Sequence, residues 1–126
     1  MDKICFAFDI DETLTISGGS IKPAVIKVLH GLGHITGLCG NWSHYVASIP
    51  SWHEHLSFVG QFYGYTSKEV FLQQLKDAMM RTGNVGRFIM IGNDPAYFGN
   101  SNDIEAARLA GWEFIREDQF RLEDFL

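Results

Sequence analysis

The apolar residues of this chain are grouped in short unbroken runs. The clearest are ICFAF at 4–8 and FIMI at 88–91, in which no polar residue intervenes. Such runs predict strands buried on both faces, which are typical of parallel sheets covered by helices. Weaker apolar runs at 34–38, 58–63 and 112–115 predict three further strands.

Between these runs, the spacing of apolar residues is that of amphipathic helices. Pro23 fits the first turn of one helix, where a missing N–H is tolerated. Ser67 is a good N-cap for a second helix, which Gly83 closes. A third helix is predicted at 103–110, and the stretch 42–55 is predicted to be helical in part.

Strands that alternate with helices define the fold class. They predict an α/β domain, a three-layer sandwich with right-handed crossovers and a mostly parallel, Rossmann-like sheet. The chain has 126 residues and shows no internal repeat or linker, so we predict a single domain over 1–126. The sequence SGGS at 17–20 predicts the tip of a short hairpin.

Composition excludes some functions and favours one compartment. Fifteen acidic residues against ten basic ones give a net charge of −5, which argues against a broad nucleic-acid-binding surface. No apolar run approaches the roughly 18 residues that cross a bilayer, and the N-terminal segment does not resemble a signal peptide. Two cysteines are too few for a disulfide framework, so we expect reduced thiols in a cytoplasmic protein without membrane contact.

Polar residues collect where the predicted strands end. In an open parallel sheet the carboxyl ends of the strands share one edge, and ligands bind beyond them. Asp9, Asp11, Thr36, Asn93 and Asp94 all fall at or just past such ends. We therefore expect these side chains to converge on one exposed rim.

Two of these acids are close enough in sequence to act together. Asp9 and Asp11 are two residues apart, so in extended chain both carboxylates lean to the same side. Close carboxylates repel, and the arrangement is stable when they share a proton or bind a cation. A further acid from another strand, Asp94, favours a hard divalent cation, and a small site with oxygen ligands suits Mg²⁺.

The sequence DIDET at 9–13, directly after a buried strand, resembles the first motif of the haloacid dehalogenase superfamily, DxDx[TV]. In that family the first Asp attacks phosphorus to form an aspartyl-phosphate, and the second protonates the leaving oxygen and then activates water. The resemblance implies a Mg²⁺-dependent phosphomonoester phosphatase with Asp9 as nucleophile and Asp11 as general acid–base. It also implies that the metal binds Asp9, the backbone carbonyl of Asp11 and an acid of the fourth motif.

The resemblance extends to later motifs, from residue 4 to about residue 115. Thr36 matches the second-motif hydroxyl that hydrogen-bonds the phosphoryl group. Lys68 matches the third-motif cation that balances the charge of nucleophile and phosphate, with Lys76, deeper in the same helix, as the alternative.

The fourth motif departs from the family pattern. The sequence IGND at 91–94, with the helix that follows, resembles it, but relatives commonly place an acid directly after the glycine, where this chain has Asn93. Asp94 is the predicted ligand. Asn93 is the alternative through its carbonyl oxygen, and Asp103 is a further alternative.

Many relatives carry a cap domain over the site, for which this chain has no room. Only a hairpin fits between Thr13 and Pro23, and about thirty residues lie between Thr36 and Lys68. This is similar to a capless core. By resemblance, such a core acts on large phosphorylated substrates or uses a partner subunit as its lid, such as a second copy in a homo-oligomer.

Two other classes of protein also contain an α/β domain with clustered aspartates. One is a catalytically weak or inactive metal-binding or regulatory module of the same fold, which Asn93 favours and the intact pair Asp9 and Asp11 disfavours. The other is a phospho-receiver domain, whose acceptor Asp follows the third strand. This chain has no Asp at that place, so the receiver class is set aside.

Overall fold

The computed structural model describes residues 3–61, 67–93 and 103–126, and its strands form one five-stranded sheet. The strands are β1 (Lys3–Phe8), β2 (Ile35–Cys39), β3 (Phe58–Gly60), β4 (Val85–Gly92) and β5 (Glu113–Arg116). Their order is β3-β2-β1-β4-β5, and every pairing is parallel. The predicted α/β class and parallel sheet are confirmed.

The described helices are α1 (Pro23–Gly31), α2 (Trp42–Ser48), α3 (Lys68–Thr82) and α4 (Asp103–Ala110). The predicted caps are confirmed: Pro23 opens α1, and the Ser67 hydroxyl accepts the Val70 N–H at 3.2 Å at the start of α3. Gly83 ends α3 with a φ of 81°, a left-handed conformation that glycine adopts readily. Within the described ranges, no helix is both long and apolar enough to span a bilayer.

The segment predicted as a hairpin at 17–20 has a different structure. The chain forms a short 3-10 helix, Thr15–Ser17, and a single bridge joins Leu14 to Ile21. The prediction of two paired strands is therefore wrong. The compact turn still brings the residues after β1 back to the start of α1.

Two apolar cores, one on each face of the sheet, make three layers. Successive residues of β1 alternate between faces. Phe6 and Phe8 pack in a core with Ile26 and Leu29 of α1, whereas the opposite core joins alternate residues of β1 to α3 and α4. Its members include Cys5, Ala7, Leu72 and Ala107. Strand β1 is covered on both sides, as its unbroken apolar run predicts.

The central position of β1 determines where a ligand can bind. The chain adds β2 and β3 on one side of β1, then crosses over to add β4 and β5 on the other. In open parallel sheets, the crevice at such a reversal binds ligands beyond the carboxyl ends of the strands. Asp9 and Asn93 directly follow β1 and β4, and the Asp9 N–H donates to the Ile91 carbonyl at 2.9 Å.

The two cysteines are buried free thiols on the same side of the sheet. Burial raises the pKa of Cys5 and of Cys39 to about 12, so both stay protonated near neutral pH. They behave as packing residues of the core.

Candidate functional site

Asp9 is held in a fixed orientation at the end of β1. Its Oδ1 atom lies 3.0 Å from the Lys68 ammonium, and its Oδ2 atom accepts a long hydrogen bond of 3.3 Å from the Thr13 hydroxyl. Sequence analysis places Asp9 on an exposed rim, whereas its side chain is only 8% exposed in the structure. The carboxylate is therefore a buried, oriented group.

Lys68 joins two carboxylates that come from different parts of the chain. Its Nζ atom lies 3.0 Å from Asp9 Oδ1 and 2.7 Å from Asp103 Oδ1. Lys68 is the first residue of α3 and Asp103 the first of α4, and these helices pack together on one face of the sheet. We call Asp9, Lys68 and Asp103 the charged cluster; with both carboxylates ionised, these three side chains have a net charge of −1.

Burial and the neighbouring charges shift the pKa values of Asp9 and Lys68. Burial raises the pKa of Asp9 to about 7; the Lys68 charge opposes the rise, and the Asp103 charge adds to it. For Lys68, burial opposes the charged form, but attraction to Asp9 and Asp103 outweighs burial and raises its pKa above the ordinary value. Because the ammonium lies nearer to Asp103, Asp9 is the less compensated of the two acids.

Asp103 is a buried member of the site, although an acid at a helix start is more often a solvated residue. Besides its ion pair with Lys68, it accepts the Asn93 backbone N–H on Oδ2 at 3.2 Å. Gly92 permits this approach, because a Cβ at that position would collide with the Asp103 carboxylate. Asp94, the predicted metal ligand, lies outside the residues that the structure describes.

The side chain of Asn93 links the segments that follow β1 and β4. Its Nδ2 atom donates to the Asp11 carbonyl at 3.0 Å and to the Thr13 hydroxyl at 2.8 Å. Asn93 is buried, and so is Thr13. The amide thereby donates to the same carbonyl that the motif resemblance assigns to the metal.

Asp11 lies at the exposed outer part of the site. Its Oδ1 atom accepts a hydrogen bond from the Ser17 hydroxyl at 2.8 Å and one from Asn41 Nδ2 at 3.2 Å. Sequence reasoning missed both partners. Asn41 had a usable signal, since it follows the second predicted strand, whereas nothing in the sequence marks Ser17 as a neighbour of Asp11.

Thr36 is not at the site, and the prediction that it lies at the end of its strand is wrong. It is the second residue of β2 and pairs with Phe6, about 10 Å along the sheet from Asp9. Its hydroxyl donates to the His55 carbonyl at 2.6 Å. Because β2 continues to Cys39, the residues at the carboxyl end of this strand are Gly40 and Asn41.

The structure also separates the two candidate lysines. Lys76 donates to the Gly111 carbonyl at 2.7 Å, near the far end of α4. Lys68 is the cation that contacts Asp9.

Gly40, a third residue that sequence reasoning missed, is in close contact with the charged cluster. It has a φ of 143°, and a Cβ at this position would lie 2.6 Å from Asp9 Oδ1 and 3.6 Å from Lys68 Nζ. The main chain just after β2 thus forms one wall of the site, and only glycine allows the approach.

We expect Gly40→Ala to displace either Asp9 or the end of β2. Such overpacking lowers the free energy of unfolding by about 1–3 kcal/mol, measurable by urea denaturation. The matched control is Gly31→Ala at the end of α1, where an added Cβ meets nothing within 4 Å. Equal stability of the two variants would contradict the close contact at Gly40.

The oxygen donors around Asp9 suit a hard cation such as Mg²⁺ on one condition. They are the Asp9 carboxylate, the Asp11 carbonyl and the side-chain oxygen of Asn93, which faces the Asp11 carbonyl only if the amide turns by 180°. In the described part of the chain, no three His, Cys, Asp or Glu residues form a group that could hold a metal. The donor set fits Mg²⁺ with Asn93 turned.

The fold and the site together define an α/β protein with a charged cluster at the point where the strand order of its parallel sheet reverses. No family model matches the chain, and no curated protein or solved structure does so either. The assignment of a function therefore depends on the geometry of the site and on the motif resemblance.

Proposed function

We propose that this protein is a haloacid dehalogenase-like, Mg²⁺-dependent phosphatase that hydrolyses phosphomonoesters through an aspartyl-phosphate on Asp9. The observation that carries the proposal is the position of Lys68, whose ammonium lies between Asp9 and Asp103. Residues that resemble the first and third motifs thus meet an acid that follows β4.

The charged cluster suits attack on phosphorus. A carboxylate and a phosphate monoester repel each other, and a buried ammonium beside the nucleophile offsets that repulsion. Lys68 contacts Oδ1 of Asp9, while Oδ2 accepts a long hydrogen bond from Thr13. Oδ2 is therefore the oxygen better placed to attack.

The proposed reaction has two displacements at phosphorus. In the first, an Asp9 oxygen forms a bond to phosphorus while the bond to the leaving oxygen breaks, and Asp11 gives that oxygen a proton. In the second, water attacks phosphorus, Asp11 accepts the water proton, and the bond to Asp9 breaks to release inorganic phosphate. The exposure of Asp11 supports this assignment, because the leaving group and the water both arrive from solvent.

The metal would be held by Asp9, the Asp11 carbonyl and the turned amide of Asn93. Asp94 remains a predicted ligand. When bound, Mg²⁺ would neutralise negative charge between Asp9 and the phosphoryl oxygens.

The exposure of Asp11 also bears on the substrate. All five described strands belong to a single sheet, so the described residues contain no second sheet that could cover the site. We propose that a large phosphorylated substrate, or a second copy of the chain, covers the site. The buried free thiols support a reducing, cytoplasmic setting for this activity.

A second candidate function is a non-catalytic metal-binding or regulatory module of the same fold. The orientation of Asn93 favours it, because an N–H group faces the carbonyl that a metal would bind. Such a module would keep the fold and lack turnover.

Hydrolysis of p-nitrophenyl phosphate by the full chain distinguishes the two candidates. We expect turnover with Mg²⁺, its loss with EDTA and its recovery on adding excess Mg²⁺. Absence of turnover across the Mg²⁺ concentrations tested would favour the module, and activity that survives full chelation would contradict a metal-dependent reaction.

A further inference from the structure

The side chain of Asp11 is exposed, yet two neighbouring segments of the chain hold it. The Ser17 hydroxyl donates to Asp11 Oδ1 at 2.8 Å. The Asn41 amide donates to the same oxygen at 3.2 Å and lies 3.5 Å from Oδ2, at the limit of a hydrogen bond. Ser17 ends the 3-10 helix that follows β1, and Asn41 directly precedes α2. The carboxyl group of Asp11 is therefore tied to both segments.

The start of α2 supports this arrangement. The Ser43 hydroxyl donates to Asn41 Oδ1 at 3.3 Å, so the amide oxygen faces Ser43 and the amide N–H groups face Asp11. His44 Nε2 lies 3.0 Å from the Ile16 carbonyl, and because a carbonyl only accepts, the imidazole N–H donates to it. That contact anchors the 3-10 helix against α2. Both donors to Asp11 thus belong to segments that are joined to each other.

We propose, on the basis of the function above, that Ser17 and Asn41 are positioning residues that orient Asp11 as the proton donor. The shorter hydrogen bonds are made to Oδ1, so Oδ2 is the oxygen better placed to carry the proton. As the bond between phosphorus and the leaving oxygen breaks, the proton passes from Oδ2 to that oxygen. Asp11 becomes a carboxylate, and the same two donors stabilise its new charge.

The benefit of orienting an exposed acid depends on the leaving group. An unrestrained carboxyl group samples several rotamers, whereas proton transfer needs the one that lies within hydrogen-bond reach of the leaving oxygen. A strongly basic leaving oxygen depends on that proton, and a weakly basic one departs with little help. Removal of either donor should therefore slow the hydrolysis of esters with basic leaving groups more than that of activated esters.

Two substrates of similar shape test this expectation with the full chain and Mg²⁺. Phenyl phosphate releases a more basic phenoxide than p-nitrophenyl phosphate does. We expect Asn41→Leu and Ser17→Ala each to lower kcat/KM for phenyl phosphate by about tenfold, and that for p-nitrophenyl phosphate by less than about threefold. The parameter kcat/KM is compared because it covers the first displacement, in which the leaving group departs. The ratio of the two values does not change if part of a variant fails to fold.

Two further variants distinguish positioning from a structural role. Asn84→Leu makes the same substitution at an exposed residue just before β4, at the opposite edge of the sheet, and should leave both substrates unaffected. Adding Asn41→Leu to Asp11→Asn should cause no further loss with phenyl phosphate, because Asn41 acts through Asp11. A structural role of Asn41 would instead lower both substrates equally and add to the loss caused by Asp11→Asn.

The outcomes separate this inference from the proposed function. If Asn41→Leu or Ser17→Ala lowers kcat/KM for both substrates by the same factor, or for neither, the inference is wrong while phosphatase activity stands. An additive loss in the double variant also contradicts it. If the wild type hydrolyses neither substrate, both the inference and the proposed function fail.

Discussion

Asp9→Asn is expected to abolish phosphatase turnover, with a loss on the order of 10⁴-fold or more. A neutral amide is a poor nucleophile towards phosphorus and cannot form the acyl-phosphate. The amide oxygen can still accept a hydrogen bond from Lys68, so the variant should fold. Hydrolysis of p-nitrophenyl phosphate with Mg²⁺ measures the loss.

The same variant should gain stability at neutral pH. Between the pKa of an unfolded Asp, about 3.9, and the raised folded value of about 7, the folded wild type holds a proton that the unfolded chain has lost. The free energy of unfolding of the wild type therefore falls as pH rises through this range. Asp9→Asn removes this fall, so its melting temperature should exceed that of the wild type at pH 8 by more than at pH 4.

Asp11→Asn is the informative companion to this variant. It retains the nucleophile and lacks the proton donor, so a phospho-enzyme should form slowly and persist, visible by intact mass. Asp9→Asn should form none. Prompt, normal turnover by Asp11→Asn would contradict the acid–base assignment, and full activity of Asp9→Asn would refute the proposed nucleophile.

Lys68→Met is expected to damage both stability and activity. Without the ammonium, Asp9 and Asp103 face each other in a buried site. Removing one partner of a buried ion pair lowers the free energy of unfolding by about 3–5 kcal/mol. Loss of an oriented charge at the reacting centre should lower turnover by about 10²–10³-fold. Urea denaturation and the p-nitrophenyl phosphate assay measure the two effects.

Two controls make this prediction specific. Lys76→Met removes the same charge from the same helix at a position that contacts the Gly111 carbonyl, and it should remain active. The stability defect of Lys68→Met should shrink at pH 5, because Asp9 or Asp103 takes up a proton there and the repulsion between the two carboxylates is relieved. Lys68→Met with the stability and turnover of Lys76→Met would contradict the charged cluster.

Local signals in the sequence were sufficient for most of the fold. The apolar runs at 4–8 and 88–91 predict buried strands because no polar residue breaks them, and the structure confirms both. Ser67 and Gly83 define the ends of α3 through hydrogen bonding and backbone conformation that depend on neighbouring residues alone. The position of Lys68 follows from the Ser67 cap. Helix α3 begins at the carboxyl edge of the sheet, and Lys68 is its first residue.

The remaining site residues depend on contacts that no local pattern encodes. The sequence predicts Thr36 at the end of its strand, yet β2 continues three residues further, so the main chain of Gly40 lies beside Asp9 instead. The choice among Asn93, Asp94 and Asp103 could not be made from spacing. Packing of α4 against α3 brings Asp103 to Lys68, and that contact spans 35 residues of sequence.

The central place of β1 has a consequence for how the chain is made. Parallel neighbours cannot be joined by a tight turn, so β1 must wait for β2, which begins at Ile35, and for β4, which begins at Val85. During synthesis, the backbone N–H and C=O groups along one edge of this apolar strand stay unpaired until β4 has left the ribosome. Long-range pairing of this kind slows folding and exposes nascent chains to aggregation. We therefore expect this small domain to fold late, and largely as a whole.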